Sequence, residues 1–138
     1  MSTSSHLVIE VKGLSWNPNG WSIWAEVAES RWYRMYAAMA GVRNAMDGVP
    51  VAKGRGIPED ADGCTKIFFD RLGGHSETWL TPNEYVEALD LACADSRERD
   101  PAWAFDPHDE WYVLGRVLAT LRDLFGNDGV RLVMAFDN

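Results

Sequence analysis

Arg43, Asn44, Arg55, His75, Ser76 and Trp79 are the side chains of this sequence whose types could together hold an anion or a nucleotide. They fall in three polar clusters, Gly41–Asn44, Gly54–Asp60 and His75–Leu80, set in otherwise ordinary globular sequence. An arginine fork takes phosphate oxygens in pairs, a serine hydroxyl adds a neutral donor, and an indole or imidazole ring can stack on a base. Gly54 and Gly56 would let backbone amides approach such a ligand closely. The competing reading pairs Arg43 and Arg55 with Asp60 or Glu59, lets His75 cap or fill, and puts Trp79 in the core. Nucleophilic catalysis by Ser76 or Cys64 needs a base aimed at it, and a histidine next in sequence to a serine is not thereby aimed. Neither a Gly-x-Ser-x-Gly elbow nor a phosphate-binding loop is present. His75 and His108 lack the spacing of metal ligands, so neither metal nor cofactor is expected.

A second set of candidates follows from charge. The net charge is −8, but it is unevenly spread along the chain. Nine acidic and two basic residues lie between Glu84 and Glu110, whereas Arg31 to Arg55 holds five basic residues and a single acid, Asp47. A chain this acidic is a poor ligand for a nucleic-acid backbone, which needs cations to neutralise its phosphates. It suits a partner with a basic surface, or a small anion at the local positive patch. Glu98, Asp100, Asp109 and Glu110, with Trp103 and Phe105 among them, form an acidic stretch carrying two aromatic anchors. The alternative is that Trp103 and Phe105 fold under their own loop to close the core.

The scaffold for these residues is short. A chain of 138 residues, 46% hydrophobic and 25% charged, reads as a single globular domain spanning residues 1–138. Its apolar runs are shorter than a membrane span, and Met1–Ser5 has neither the basic nor the apolar region of a signal peptide, so a cytoplasmic protein is expected. Cys64 and Cys93 are then expected as reduced thiols.

Leu7–Lys12 reads as a strand and Asn17–Gly20 as a turn. Trp21–Val27 then alternates, with Trp21, Ile23, Ala25 and Val27 on one face, completing an N-terminal hairpin. Ser30 can cap a helix that ends at Gly41. Pro58–Asp60 can open a short helix, and Ile67–Leu72 supplies the stripe of the next. Thr81-Pro82-Asn83-Glu84 is a capping box with proline at the first helical position, and Asp106-Pro107 repeats the start for a helix ending at Gly126. Val130–Phe136 is an almost wholly apolar strand suited to the middle of a sheet. The expected class is α+β: a small, mostly antiparallel sheet of the hairpin plus the C-terminal strand, with about four helices packed on one face.

The segments Tyr36–Asn44, Arg55–Asp60, His75–Thr81 and Val130–Asn138 resemble, in that order, the motifs of an uncharacterised family of small bacteriophage and actinobacterial proteins. Thr78 stands where that pattern has serine, and Pro82 where it has leucine. The resemblance implies a phage context and a shared fold, and no reaction. With the charge pattern, it leads to the expectation of a non-enzymatic inhibitor of host defence, comparable to anti-CRISPR proteins, whose acidic face covers a basic nucleic-acid-binding surface. The alternatives are a sponge for an anionic signalling nucleotide at the Arg43/Arg55/His75 patch, and a small hydrolase using His75 as base. A homodimer is compatible with each.

Overall fold

The computed structural model describes residues 2–43, 46 and 48–138. Two of the most apolar segments, β1 (Ser4–Leu14) and β4 (Val130–Asp137), pair antiparallel from Ser4↔Asp137 to Val11↔Val130 and form the centre of a four-stranded sheet. The strand order is β2-β1-β4-β3, with β2 (Asn17–Val27) and β3 (His75–Leu80) at the edges and every neighbouring pair antiparallel. Strands buried on both faces must be apolar throughout, which is why β4 carries so few polar residues.

Both faces of the sheet are covered. Leu7, Ile9, Val11, Leu132, Met134 and Phe136 point into the larger core, shared with α1 (Tyr33–Ala40), α3 (Pro82–Arg99) and α4 (Glu110–Phe125). Val8, Val133 and Ala135 point the other way, against Phe69 of α2 (Gly63–Leu72). The α+β class is the one expected. Three helices share one face, while α2 takes the opposite one, where the alternate residues of β1 and β4 would otherwise meet water.

Local signals explain most boundaries. The Thr81 side chain accepts from the Glu84 amide and the Glu84 carboxylate from the Thr81 amide, so the capping box that starts α3 forms as expected. Gly41 ends α1 in the left-handed region at φ 72°, and the amides of Val51 and Ala52 meet the last carbonyls of that helix. Residue 58–60 backbone forms a turn, and α2 begins later, capped by Asp62. At Asp106 the side chain closes a turn on the His108 amide, and Asp109, which accepts from the Trp111 amide, is the cap that starts α4.

Three departures from the sequence reading matter for function. The hairpin turn is Ser15–Trp16, flanked by the pair Leu14↔Asn17, so Asn17–Gly20 already belongs to β2. Further along β2 the register steps from Glu10↔Ile23 to Ile9↔Ala25, leaving Trp24 unopposed as a bulge. The step splits the expected single face: Ile23 packs on the α2 side and Val27 on the three-helix side. Finally, the polar cluster His75–Leu80, assigned no element from the sequence, is an edge strand. The segment before α2 shields its outer edge, through the Gly56 amide on the Glu77 carbonyl at 2.9 Å and the Thr78 hydroxyl on the Ala52 carbonyl.

Candidate functional site

The five described anion-site candidates, Arg43, Arg55, His75, Ser76 and Trp79, do not converge on one site. Arg55 and Trp79 lie at one end of β3, and His75 and Ser76 at the other, about 13 Å away for four residues of strand. Arg55 is already committed. Its Nη1 donates to Glu84 Oε1 at 2.8 Å and to the Trp79 carbonyl at 3.1 Å, and its Nη2 to Glu84 Oε2 at 2.5 Å. The guanidinium carbon sits 4.8 Å over the Trp79 ring, whose other side packs into the α2-side core. The bidentate Arg55 contact holds the Glu84 carboxyl below its ordinary range and raises the guanidinium above its own. An anion would have to displace a carboxylate that also caps α3, and a base would find the indole face taken. The reading of Arg55 and Trp79 as an open phosphate and base site is therefore corrected.

At the other end, His75 Nδ1 lies 2.8 Å from Ser76 Oγ and Nε2 lies 3.3 Å from Asn138 Oδ1. The two contacts agree on one tautomer: Nε2–H donates to Asn138 and Nδ1 accepts from the serine. Ser76 adopts φ 56°, at the irregularity where β3 leaves its pairing with β4. Asn138 Oδ1 also accepts from Thr3 Oγ1 at 2.9 Å, the Thr3 amide donates to Tyr33 Oη at 3.2 Å, and Arg43 covers the Tyr33 ring at 4.6 Å. Arg43, His75 and Ser76 thus share one exposed end of the sheet. Asn44 lies outside the described residues.

Of the acidic candidates, Glu98 and Asp100 lie at the C-terminal end of α3, and Asp109 and Glu110 at the start of α4. Glu98, Asp100 and Glu110 are exposed, whereas Asp109 is half-buried as the α4 cap. Trp103 and Phe105 do not project as independent anchors. Trp103 stacks on Trp32 at 5.9 Å between ring centres with 22° between planes, and Phe105 meets the same indole edge-on at 5.4 Å. Tyr112 extends the cluster, and Arg97 lies 5.6 Å over Trp103. Ser30, Trp32, Trp103, Phe105, Asp106 and Asp109 line a shallow cleft of about 250 Å³. The result is a packed aromatic wall whose cleft is lined by Asp106 and Asp109 and also by Arg31. Asp95 of α3 is neutralised internally, accepting from Arg34 at 2.9 Å and Arg99 at 3.0 Å.

Two acids with buried carboxyl oxygens, Glu10 and Glu29, escaped the sequence reading. Glu10 has no exposed surface and stands directly opposite Arg131 in the β1–β4 pairing. Its Oε1 accepts from Arg131 Nε at 2.9 Å; Nη2 is 2.8 Å from a Glu10 oxygen but too oblique for a hydrogen bond. Its Oε2 takes the Asp62 amide at 2.8 Å and the Thr65 hydroxyl at 2.7 Å, where α2 begins. Arg131 Nη1 reaches Asp60 at 2.9 Å, and the guanidinium lies 3.7 Å over the Trp21 ring. Partial burial would raise the Asp60 pKa, but the Arg131 contacts and the Trp21 N–H outweigh it and leave it lowered. A charge inside each of two apolar strands, LVIEV and VRLVM, is the signal that could have shown this pair.

Glu29, just after β2, takes the Ser5 hydroxyl on Oε1, while its buried Oε2 has no hydrogen-bond partner among the described residues. Burial raises its pKa, and Ser5, His6 and Tyr36 offset this only in part. A carboxyl whose folded pKa lies above its unfolded value favours folding while protonated, and that contribution is lost as pH rises through the folded pKa. Glu29→Gln is therefore expected to raise the melting temperature at pH 7 by roughly 2–4 °C, the shift that accompanies about 1 kcal/mol in a chain near this size. The gain should vanish below the ordinary glutamate value of 4.5, so equal gains at both pH values would refute it.

Among the described residues no helix is long and apolar enough to cross a membrane. The thiols of Cys64 and Cys93 are unbonded, and burial pushes Cys93 up to about 11. No protein-family model matches the chain, and comparison with curated proteins and with solved structures likewise returns no match.

Proposed function

We propose that this chain is a non-enzymatic binding protein, phage- or mobile-element-encoded, that inhibits host defence by seating its acidic end on a basic, nucleic-acid-binding surface of a host complex. The supporting observation is the α3–α4 connection. There Glu98, Asp100 and Glu110 are exposed in the same stretch of chain that carries Trp103 and Phe105, whose rings pack on Trp32. Lysines and arginines that bind phosphate can pair with carboxylates instead, and a fixed aromatic surface adds contact area at little cost in side-chain entropy. Charge complementarity of this kind speeds association and weakens as salt screens it. The sponge alternative loses its principal fork, because Arg55 is bound to Glu84.

The test is phage plating on bacteria with an active CRISPR system. The wild-type chain should restore plaques. The triple variant Glu98→Arg/Asp100→Arg/Glu110→Arg, which spares the Asp109 cap, should bind at least about 100-fold more weakly and lose restoration, given about 1.5 kcal/mol or more per close charge pair. Arg55→Ala should be tolerated. Restoration by a folded triple variant, or none by the wild type across the defence systems tried, would remove the proposal.

A further inference from the structure

We propose that Ser76 is a nucleophilic serine, activated by His75, that accepts an acyl group from an activated ester. The site uses no residue of the acidic stretch, so it stands or falls apart from the binding function. A histidine beside a serine in sequence need not point at it, and in a regular strand neighbouring side chains leave on opposite faces. Here the backbone brings the two together. Ser76 adopts φ 56°, a left-handed conformation that a residue with a Cβ takes only against steric cost, where β3 shifts register between His75 and Thr78. His75 Nδ1 then lies 2.8 Å from Ser76 Oγ.

The imidazole is held from its other sides. Its Nε2–H donates to Asn138 Oδ1 at 3.3 Å, and that oxygen is fixed by the Thr3 hydroxyl at 2.9 Å. The buried Phe136 ring lies 6.4 Å away between ring centres. Gly74 lets the chain come this close to β4, since a Cβ there would meet the Phe136 carbonyl oxygen at 2.7 Å. A nucleophile, a base within hydrogen-bond reach of it, and a third group that orients the base are the parts that acyl transfer to a serine requires. Asn138 acts through His75 and is a positioning residue.

The step balances without a further reactant. Ser76 Oγ attacks the ester carbonyl carbon, and its proton passes to His75 Nδ1. The tetrahedral intermediate collapses as the bond to the leaving oxygen breaks, and the imidazolium gives its proton to that oxygen or to water. The products are an acyl-serine and one alcohol or phenol. Both side chains are exposed, so the donor arrives from solvent and water solvates the oxyanion, which suits a small acyl group on a good leaving group.

Treatment with p-nitrophenyl acetate tests the site, read by peptide mass because the exposed Cys64 thiol will also take acetyl. The expected result is one acetyl group on Ser76. Ser76→Gly deletes the hydroxyl and suits the positive φ, so it should lose that label while staying folded. His75→Gln keeps a polar side chain but no base, and should slow labelling of Ser76 at least about 100-fold. Asn138→Leu should slow it about fivefold, the worth of one hydrogen bond, and Asn138→Asp, which keeps the acceptor, should restore it. An unlabelled Ser76, or equal labelling in His75→Gln, would overturn the proposal and leave the contact a local hydrogen bond. Equal rates in the two Asn138 variants would remove Asn138 as the positioning residue. Phenolate release that runs past one equivalent and stops in Ser76→Gly would still place the acyl group on Ser76, and would overturn the non-enzymatic function instead.

Discussion

Glu10→Ala is expected to destabilise the fold by about 3–5 kcal/mol, the cost of breaking a buried ion pair from one side. The loss should appear as a lower denaturation midpoint with little change in slope. The reason lies in what the substitution leaves behind. Arg131 is 5% exposed and would keep its charge with only Asp60, itself open to water, as counterion. The Asp62 amide and the Thr65 hydroxyl would also lose their acceptor under α2. Removing both charges is a different matter. Glu10→Leu/Arg131→Met fills the space with apolar atoms and is expected to recover much of the loss, because the pair's own desolvation cost disappears with it. A single variant costing less than about 1 kcal/mol, or a double variant no better than the single, would show that the pair is not what holds this side of the sheet.

Trp111→Ala ranks next, at about 3–5 kcal/mol for a fully buried aromatic cut to a methyl group. Trp111 has no exposed surface and begins α4 at the meeting point of three segments. Its ring lies against Tyr36 of α1 at 6.1 Å, its Nε1–H donates to the Ser30 carbonyl at 2.9 Å, and its carbonyl accepts from Tyr85 Oη of α3 at 2.5 Å. Trp111→Phe keeps most of the bulk and strands only the Ser30 carbonyl, so about 1–3 kcal/mol is expected. Denaturant titration should rank alanine well below phenylalanine. Near-equal losses would mean that the indole hydrogen bond, rather than ring volume, governs this junction. Since Asp109 and Glu110 precede the ring directly, the alanine variant should also loosen the acidic end.

The parts of this fold written in short-range chemistry could be read from residues alone. The α3 capping box depends on four consecutive residues, and the centrality of β4 on an unbroken apolar run. What escaped depends on partners distant in sequence. His75–Leu80 is polar because it is an edge strand, and a polar hexamer with Ser76 at positive φ has no periodicity to reveal it. The bulge at Trp24 is set by pairing with β1, so strict alternation gave the wrong faces for half of β2. For α4 the Asp106-Pro107 pattern placed the start too early: the helix begins after the Asp109 cap, with Trp111 fully buried in its first turn. The candidate sites divide in the same way. A run of charged residues made the exposure of Glu98, Asp100 and Glu110 legible, whereas Arg55 found Glu84, nearly thirty positions away, which no local pattern announces.

The unequal cover of the sheet has a kinetic consequence. Helix α2 buries Thr65 and Phe69 among its own residues, and a four-residue cluster plus the Glu10 contacts hold it, against more than twenty buried residues on the other side. Partial opening should start there, with α2 lifting as a sub-global unit while the remaining helices stay folded. Amide exchange would then report two protection tiers in one small domain, with the α2 amides in the less protected one.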